Sequence, residues 1–459
     1  MSSFLAFRGV AVGSALLTLL AGTAAAQIIT VGPNINVSQL TGSQSETAIA
    51  ISRTNTNLIA LASNNSSNIF SRFSSDGGST WAASALSGGA GGYDPWMGAD
   101  SFGNVFFSFQ VSGVTRIARS IDGGATYAAP VVISGSGADH PEMSIGPGVT
   151  PGTNSIYLRD SVGSSNRVIS ATSSGLGVST AYTAQSSGLG TGNFGSTAVS
   201  PTGGTVFTSM SPAGGVGPAS MTLRYDADGT GPGGYATLST VTTQVGGFRP
   251  IPAQPNRTID AQVELEYDFS GGVGNGTLYM LYTQAANTTT NNTDIVVRRS
   301  NDNGATFSSE VRINDDSGTN SQFFGRLAID QTTGALASVW YDARNSAGNN
   351  MVELWGSVSF DGGLNWAPNF KISAGMSDGR QSNTGNPNEF GDYIAIDFHN
   401  GVLAASWADS SNSTGNNPNG TTGLDIYFAR VLVTAVPEPS AVVLMALGLF
   451  AVGLRARRR

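Results

Sequence analysis

The side chains best suited to chemistry in this sequence are carboxylates that precede or begin predicted strands. Hydrolysis of a glycosidic bond commonly needs two of them, one as the acid and one as the base or nucleophile. Asp94 and Asp392 are our first candidates for this pair. The wider set at strand starts comprises Glu46, His140, Glu142, Asp260, Gln262, Arg326 and Glu389, and the set expected in loops after second strands comprises Arg159, Asp160, Asp342, Arg344 and Asp409.

Composition excludes several other chemistries. The net charge is −8 and Lys371 is the only lysine, so the chain lacks the basic clusters that bind nucleic acid. It has no cysteine and only two histidines, His140 and His399, which predicts no metal site. The Gly-rich segment 88–92 has no following helix or lysine and predicts no phosphate site. We therefore expect no cofactor.

One short motif, S-x-D-x-G followed by Thr or Asn and an aromatic residue, occurs four times. An aspartate in such a turn accepts hydrogen bonds from backbone amides, and glycine supplies a positive φ. The motif predicts a turn between two strands. The copies span residues 74–81, 120–127, 300–307 and 359–366, and their aspartates are Asp76, Asp122, Asp302 and Asp361.

These four copies resemble the Asp-box, or BNR, repeat of sialidases and related β-propellers. The resemblance implies a structural role for the four aspartates, on the face away from the active centre. A sialidase would also need three arginines and a tyrosine nucleophile. Arg159, Arg326 and Arg344 are candidates for the triad, and Tyr393 or Tyr341 for the nucleophile. The family's F/Y-R-I-P motif has only a near match, at residues 248–252 in mid-chain.

A longer repeat predicts the fold. A strand, a turn and a second strand recur seven times, with starts spaced roughly 40–50 residues apart, as expected of four-stranded blades. We predict an all-β propeller of seven blades, with six, the number in sialidases, as the alternative. The units begin at Thr47, Trp96, Glu142, Gly195, Val263, Gly325 and Asp392.

The last unit lacks an outer strand of its own, whereas the segment 35–38 near the start of the chain reads as one. Pairing this segment with the last blade would close the ring and remove exposed sheet edges. We therefore predict closure by the N-terminal strand.

The two ends of the chain are typical of targeting signals. Arg8, an apolar stretch and Ala24-Ala25-Ala26 are typical of a secretory signal peptide over residues 1–26, which leaves a propeller over 27–435. Residues 436–459 contain Pro437-Glu438-Pro439, an apolar run and an arginine-rich end. This tail resembles the PEP-CTERM sorting signal. The resemblance implies a Gram-negative bacterium, an exosortase-type sorting enzyme as partner, transient contact with the inner membrane, and a final place at the cell surface or in the extracellular matrix.

Two functions follow as hypotheses. The first is a non-catalytic, exported module that binds an extracellular glycan or a surface protein, which the sorting tail and the missing sialidase motif favour. The second is a sialidase-like glycoside hydrolase that uses Asp94, Asp392, Tyr393 and the three arginines. Whether the chain is an enzyme depends on whether these side chains converge.

Overall fold

The computed structural model describes residues 27–435, apart from 66–67, 87–90, 134, 136, 186–188, 230–233 and 382–388. Nearly all of these residues belong to one compact unit, residues 29–433. The predicted signal peptide and sorting tail lie outside the described residues. In the described part, no helix is long and apolar enough to span a bilayer, and the helical element present is a short 3₁₀ turn at Gly379–Gln381.

Seven antiparallel sheets form the blades of a β-propeller, which confirms the predicted fold and blade count. In each of the first six, the strands follow chain order from the innermost to the outermost. The first blade consists of Gln44–Ile51, Ile59–Asn65, Asn68–Ser74 and Ala82–Ala83. The second consists of Tyr93–Ala99, Val105–Val111, Val114–Ser120 and Val131–Val132. The third consists of Ala138–Pro147, Asn154–Val162, Ser165–Gly175, Val178–Ser179 and Thr183–Gln185.

The later blades repeat this order with longer connections. The fourth consists of Asn193–Val199, Thr205–Ser211, Ala219–Asp226 and Ala236–Thr243. The fifth consists of Glu264–Tyr267, Leu278–Ala285, Thr293–Ser300 and Val311–Arg312. The sixth consists of Gln322–Asp330, Ala335–Asp342, Glu353–Ser359 and Phe370–Lys371. The seventh consists of Ala395–His399, Val402–Asp409 and Asp425–Ala435, together with Gln27–Val31 and Ile35–Asn36 from the start of the chain.

Two small pairings lie outside the blades. Ala85–Leu86 runs parallel to Thr126–Tyr127 and joins the first two blades. Arg249–Ile251 and Gln254–Ile259 form a hairpin between the fourth and fifth blades. We call the end of the ring where the innermost strands begin the upper face, and the end where they finish the lower face.

The core lies between neighbouring sheets. Second strands are apolar and inaccessible along nearly their whole length, as in Val105–Val111 and Ala335–Asp342. A strand inside a blade is covered on both faces by the adjacent blades, so its sequence reads as a continuous apolar run. This burial explains why the second strands can be recognised in the sequence as continuous apolar runs.

Ring closure follows the predicted scheme. Ile35 and Asn36 pair with Phe428 and Tyr427 in the last strand of the seventh blade. The amide of Val37 donates to the carbonyl of Ile426 at 2.8 Å. The first segment of the propeller therefore supplies the outer strand that the last sheet lacks.

The four S-x-D-x-G turns share one set of hydrogen bonds on the lower face, between third and outer strands. In the first copy, the Ser74 hydroxyl donates to Asp76 at 2.8 Å, and the Thr80 amide and hydroxyl donate to Asp76 at 2.9 and 2.6 Å. In the fourth copy, the Asn365 amide group replaces the threonine hydroxyl and donates to Asp361 at 2.7 Å. The carboxylates of these aspartates are therefore occupied by hydrogen bonds within their own turns.

The strand boundaries differ from the sequence-based prediction in all seven blades. Most innermost strands begin two to four residues earlier than predicted. That of the fifth blade begins at Glu264, and that of the seventh begins at Ala395 and not at Asp392, because Asp392 is held in a loop by contacts described below. The outer strands are also shorter than predicted, as in Val131–Val132. An outer strand pairs on one side only, so little holds its ends to the sheet.

Replacing Asn36 by alanine should destabilise the ring. The side chain of Asn36 is buried and donates to the Asp425 carboxylate, which would lose this partner in the interior. We expect a loss of about 1–3 kcal/mol in the free energy of unfolding, measured by urea denaturation. Asn291→Ala, at an exposed position, is the control. Equal stability of the two variants would contradict the closure contact.

Candidate functional site

One backbone feature recurs at the start of all seven innermost strands. One residue just inside or just before each strand has a positive φ, and in five blades the register with the second strand shifts at this point. Such a bulge bends the strand and re-aims the next side chains. A positive φ is costly for residues other than glycine and concentrates at binding and catalytic sites. The seven residues are Glu46 (+59°), Asp94 (+52°), His140 (+49°), Phe194 (+48°), Gln262 (+45°), Phe324 (+52°) and Gly391 (+77°).

In five blades, the position two residues further along carries a large or charged side chain that lines one of two cavities. Trp96, Glu264 and Arg326 line a lower cavity, and Glu142 and Tyr393 line a smaller upper pocket. The ring of bulges therefore sets which side chains face the channel.

The upper pocket is surrounded by charged groups from distant parts of the chain. Arg257 forms a bidentate ion pair with Asp392, with Nε at 2.7 Å from Oδ1, and its Nη2 lies 3.6 Å from Glu46 Oε1. His140 Nε2 lies 4.0 Å from Asp392 Oδ2 and 3.7 Å from Asp139 Oδ2. Carboxylates outnumber cations in this group.

Burial dominates the electrostatics of this pocket. It raises the pKa of Glu142 to about 8 and the pKa of Asp260 to about 8. Burial, and then the charges of neighbouring carboxylates, raise the pKa of Glu46 to about 8 and that of Asp94 well above its usual range. Removing a carboxylate from water disfavours its charged form.

A layer of three side chains separates the upper pocket from the lower cavity. The Arg326 guanidinium lies over the ring of Trp96, 4.3 Å from its centroid, and Trp96 packs on Tyr393 at 5.8 Å between centroids. Arg326 also pairs with Glu264 at 3.4 Å and with Glu142 at 3.8 Å.

The structure brings several predicted catalytic candidates together. Burial, followed by the charges of Asp94, Glu46 and Asp392, raises the pKa of Tyr393 well above its ordinary value, and the charge of Arg326 opposes this shift. Asp392 and Tyr393 both line the upper pocket, and Arg326 lies next to it on the ring of Trp96. Their catalytic role stays a prediction.

The three arginines proposed as a triad do not meet. Arg159 is fully buried and donates to Asn166 at 2.9 Å. Arg344 lies on the ring of Trp355, at 4.2 Å, and pairs with Asp315 at 2.8 Å. Those partners belong to the outer part of the fifth and sixth blades, so Arg344 does not reach the axis.

Three aspartates predicted in loops after second strands lie inside those strands instead. Asp160, Asp342 and Asp409 are inaccessible to solvent. Trp340 and Trp407 donate their indole N–H groups to Asp342 and Asp409, at 2.8 and 2.9 Å. The prediction of rim positions was wrong because the second strands extend further than their apolar runs.

Sequence reasoning missed Arg257 and the hairpin that carries it. The hairpin Arg249–Ile251 and Gln254–Ile259 reaches the segment before the seventh blade, where Gln254 donates to the carbonyl of Gly391 at 2.7 Å and Asn256 donates to Glu389 at 3.0 Å. The long gap between the fourth and fifth units was the available signal. Arg249, in the near match to the sialidase motif, is buried and donates to the carbonyl of Gln244 at 2.9 Å.

The two cavities differ greatly in size. The upper pocket has a volume of about 20 Å³, enough for a water molecule. The lower cavity has a volume of about 500 Å³ and extends to the lower ends of the innermost strands. Its polar lining includes Arg53, Asp100, Asn154, Glu266, Asp397 and His399, and its aromatic lining includes Trp96 and Phe269.

Charges in the lower cavity are nearly balanced. Arg53 pairs with Asp397 at 2.9 Å, and His399 Nε2 lies 3.0 Å from the Arg53 carbonyl. Burial raises the pKa of Glu266 to about 8, so this side chain holds a proton near neutral pH. The cavity thus offers donors and acceptors without an excess of positive charge.

A family model described as the PEP-CTERM protein-sorting motif matches residues 435–459. This match confirms the sorting tail and implies an exported protein, recognised by an exosortase-type sorting system of Gram-negative bacteria and directed toward the cell surface. A search of curated proteins found no match.

Solved structures with a similar fold include proteins of several kinds. A protein of unknown function from Dyadobacter fermentans has a TM-score of 0.45 and 10% identity, with 88% of this chain and 99% of that chain covered. The GH93 α-L-arabinofuranosidase of Fusarium graminearum, in complex with arabinobiose, has a TM-score of 0.43 and 14% identity, with 72% and 98% covered. The Hadza microbial sialidase Hz136 has a TM-score of 0.40 and 11% identity, with 84% and 65% covered. At these values the similarities do not indicate what this chain binds or catalyses.

Glu266→Gln should remove part of the pH dependence of stability. The folded protein holds a proton on Glu266 up to a pKa of about 8, whereas the ordinary value is 4.5. Stability from this group is therefore lost as pH rises through that window. We expect the wild-type melting temperature to fall by about 2 °C more than that of the variant between pH 5 and pH 8.5.

Glu310→Gln is the matched control, because hydrogen bonds from Tyr282, Gln284 and Arg298 lower the pKa of Glu310 despite its partial burial. The melting temperature of Glu310→Gln should therefore not rise relative to that of the wild type at high pH. Parallel melting curves for wild type and Glu266→Gln at every pH would contradict the assignment.

Proposed function

We propose that the protein is an exported cell-surface module that binds a neutral glycan in its lower cavity without cleaving it. The main support for this proposal is the difference in volume between the two cavities. The lower cavity measures about 500 Å³ and the upper pocket about 20 Å³. Pockets that hold small ligands have volumes of roughly 300–1,000 Å³. A sugar unit therefore fits the lower cavity.

The chemistry of the lining supports a polyhydroxylated ligand. Asn154, Glu266 and His399 bring amide, carboxyl and imidazole groups into the cavity, beside the rings of Trp96 and Phe269. Such a mixture of convergent polar groups and aromatic faces orients a ligand through both hydrogen bonds and apolar contact.

The charges favour a neutral sugar over an acidic one. Arg53 is neutralised by Asp397, and Arg326 by Glu264 with Glu142. No guanidinium in the described lining is therefore left for the carboxylate of a sialic acid. Arg344 also lies away from Arg326, so these two guanidinium groups do not bind one sugar carboxylate together.

A glycoside hydrolase is the second candidate, and the support for it is that Asp392 and Tyr393 both line the upper pocket. Two features weigh against it. Asp392 is already engaged by Arg257, and the pocket has a volume of only about 20 Å³. A sugar ring does not fit this space.

A glycan array with purified protein tests the proposal. We expect binding to neutral glycans, at least ten-fold weaker for Glu266→Ala, since this side chain lines the cavity. Glu310→Ala, outside the cavity, should bind as the wild type does. Retention of sialylated glycans alone would contradict a neutral ligand, and release of sugar that Asp392→Asn abolishes would establish the hydrolase instead.

A further inference from the structure

Three ligand-type side chains meet at the upper face, away from the lower cavity. The donor atoms of Asp94, Asp139 and His140 all lie within 4.8 Å of one another. We propose that these residues form a binding site for a divalent transition-metal ion such as Zn²⁺ or Mn²⁺. This proposal does not depend on glycan binding.

The backbone fixes the positions of these ligands. Asp94 and His140 occupy the same bulge position in the second and third blades, with φ of +52° and +49°. Neighbouring innermost strands therefore present both side chains to one point, and Asp139 precedes His140 directly. Ligands held on strands by a strained backbone are preorganised, as a metal site requires.

Asp94 supplies an independent indication of a missing ligand. The residue is 7% exposed, yet its carboxylate takes part in no hydrogen bond or ion pair with any residue that the structure describes. A buried carboxylate without a partner is costly, and coordination of a metal ion removes this cost. A carboxylate oxygen of Asp94 lies within 4.8 Å of the ligand atoms of Asp139 and His140.

His140 also has an unused donor atom. Its Nε2 lies 3.7 Å from Asp139 Oδ2 and 4.0 Å from Asp392 Oδ2, which is too far for a hydrogen bond. The ring packs against Phe194, with 4.7 Å between centroids, and this contact holds its plane. The imidazole is oriented toward carboxylates that it does not bond.

The surrounding charge favours a cation. Oε1 of Glu46 accepts no hydrogen bond and lies 3.6 Å from Arg257. Arg257 is shared between Glu46 and Asp392, so a single guanidinium serves both carboxylates. A dication bound at Asp94, Asp139 and His140 would add positive charge to a group in which carboxylates outnumber cations.

The donor set indicates the class of metal. Imidazole nitrogen with carboxylate oxygens suits Zn²⁺ or Mn²⁺, whereas Ca²⁺ and Mg²⁺ prefer oxygen ligands. The sequence alone predicted no metal because the chain has only two histidines and no cysteine. One histidine with two carboxylates meets the requirement once the fold brings them together.

The test uses tag-free protein stripped with EDTA, and Zn²⁺, Mn²⁺ and Ca²⁺ as separate titrants in calorimetry. We expect one equivalent of Zn²⁺ or Mn²⁺ to bind at micromolar concentration or below and to raise the melting temperature. His140→Ala should weaken binding at least ten-fold. His399→Ala is the matched control, because His399 lies in the lower cavity and should leave metal binding unchanged.

Asp139→Asn provides a second variant if His140→Ala fails to fold, since the Asp139 side chain is 48% exposed and the change keeps its size. It should also weaken binding. The proposal is overturned if the folded protein takes up no stoichiometric Zn²⁺ or Mn²⁺, if it prefers Ca²⁺, or if both site variants bind as the wild type does.

Discussion

Closure of the ring between the last and first blades is the interaction on which the rest of the structure depends. The pairing of Ile35 and Asn36 with the strand Asp425–Ala435 turns an open row of sheets into a toroid. Arg53 adds a second link, because its ion pair with Asp397 joins the first blade to the seventh at 2.9 Å. Closure hides two sheet edges and fixes how far each innermost strand lies from the axis.

A closed ring of seven sheets places seven equivalent backbone positions around one axis. The positive φ recurs in every blade and comes with a bulge in five of them, while the side chains differ. Glu46, Asp94 and His140 make one side polar, and Phe194 and Phe324 make other positions apolar. A repeated scaffold thereby acquires an asymmetric site, because the side chains at equivalent positions differ.

The layer formed by Arg326, Trp96 and Tyr393 divides the channel into two environments. Above it, Arg257 pairs with Asp392, which lines a pocket without room for a sugar. Below it, the cavity stays wide and nearly neutral. The stacking of Arg326 on Trp96 keeps the guanidinium in the layer, where two carboxylates compensate its charge.

The sequence by itself determined the strands, the seven-fold repeat, the closing segment and the S-x-D-x-G turns. The turns depend on the hydrogen-bonding groups of a few adjacent residues, and the strands depend on short local patterns of apolar and polar residues. Only the tertiary structure decided which distant side chains meet. Arg257 and Asp392 are 135 residues apart, and Arg344 points to the outer sheet edge although Arg326, in the same blade, reaches the axis. Such contacts depend on the relative placement of whole blades and on the path of one long connection, which no local pattern encodes.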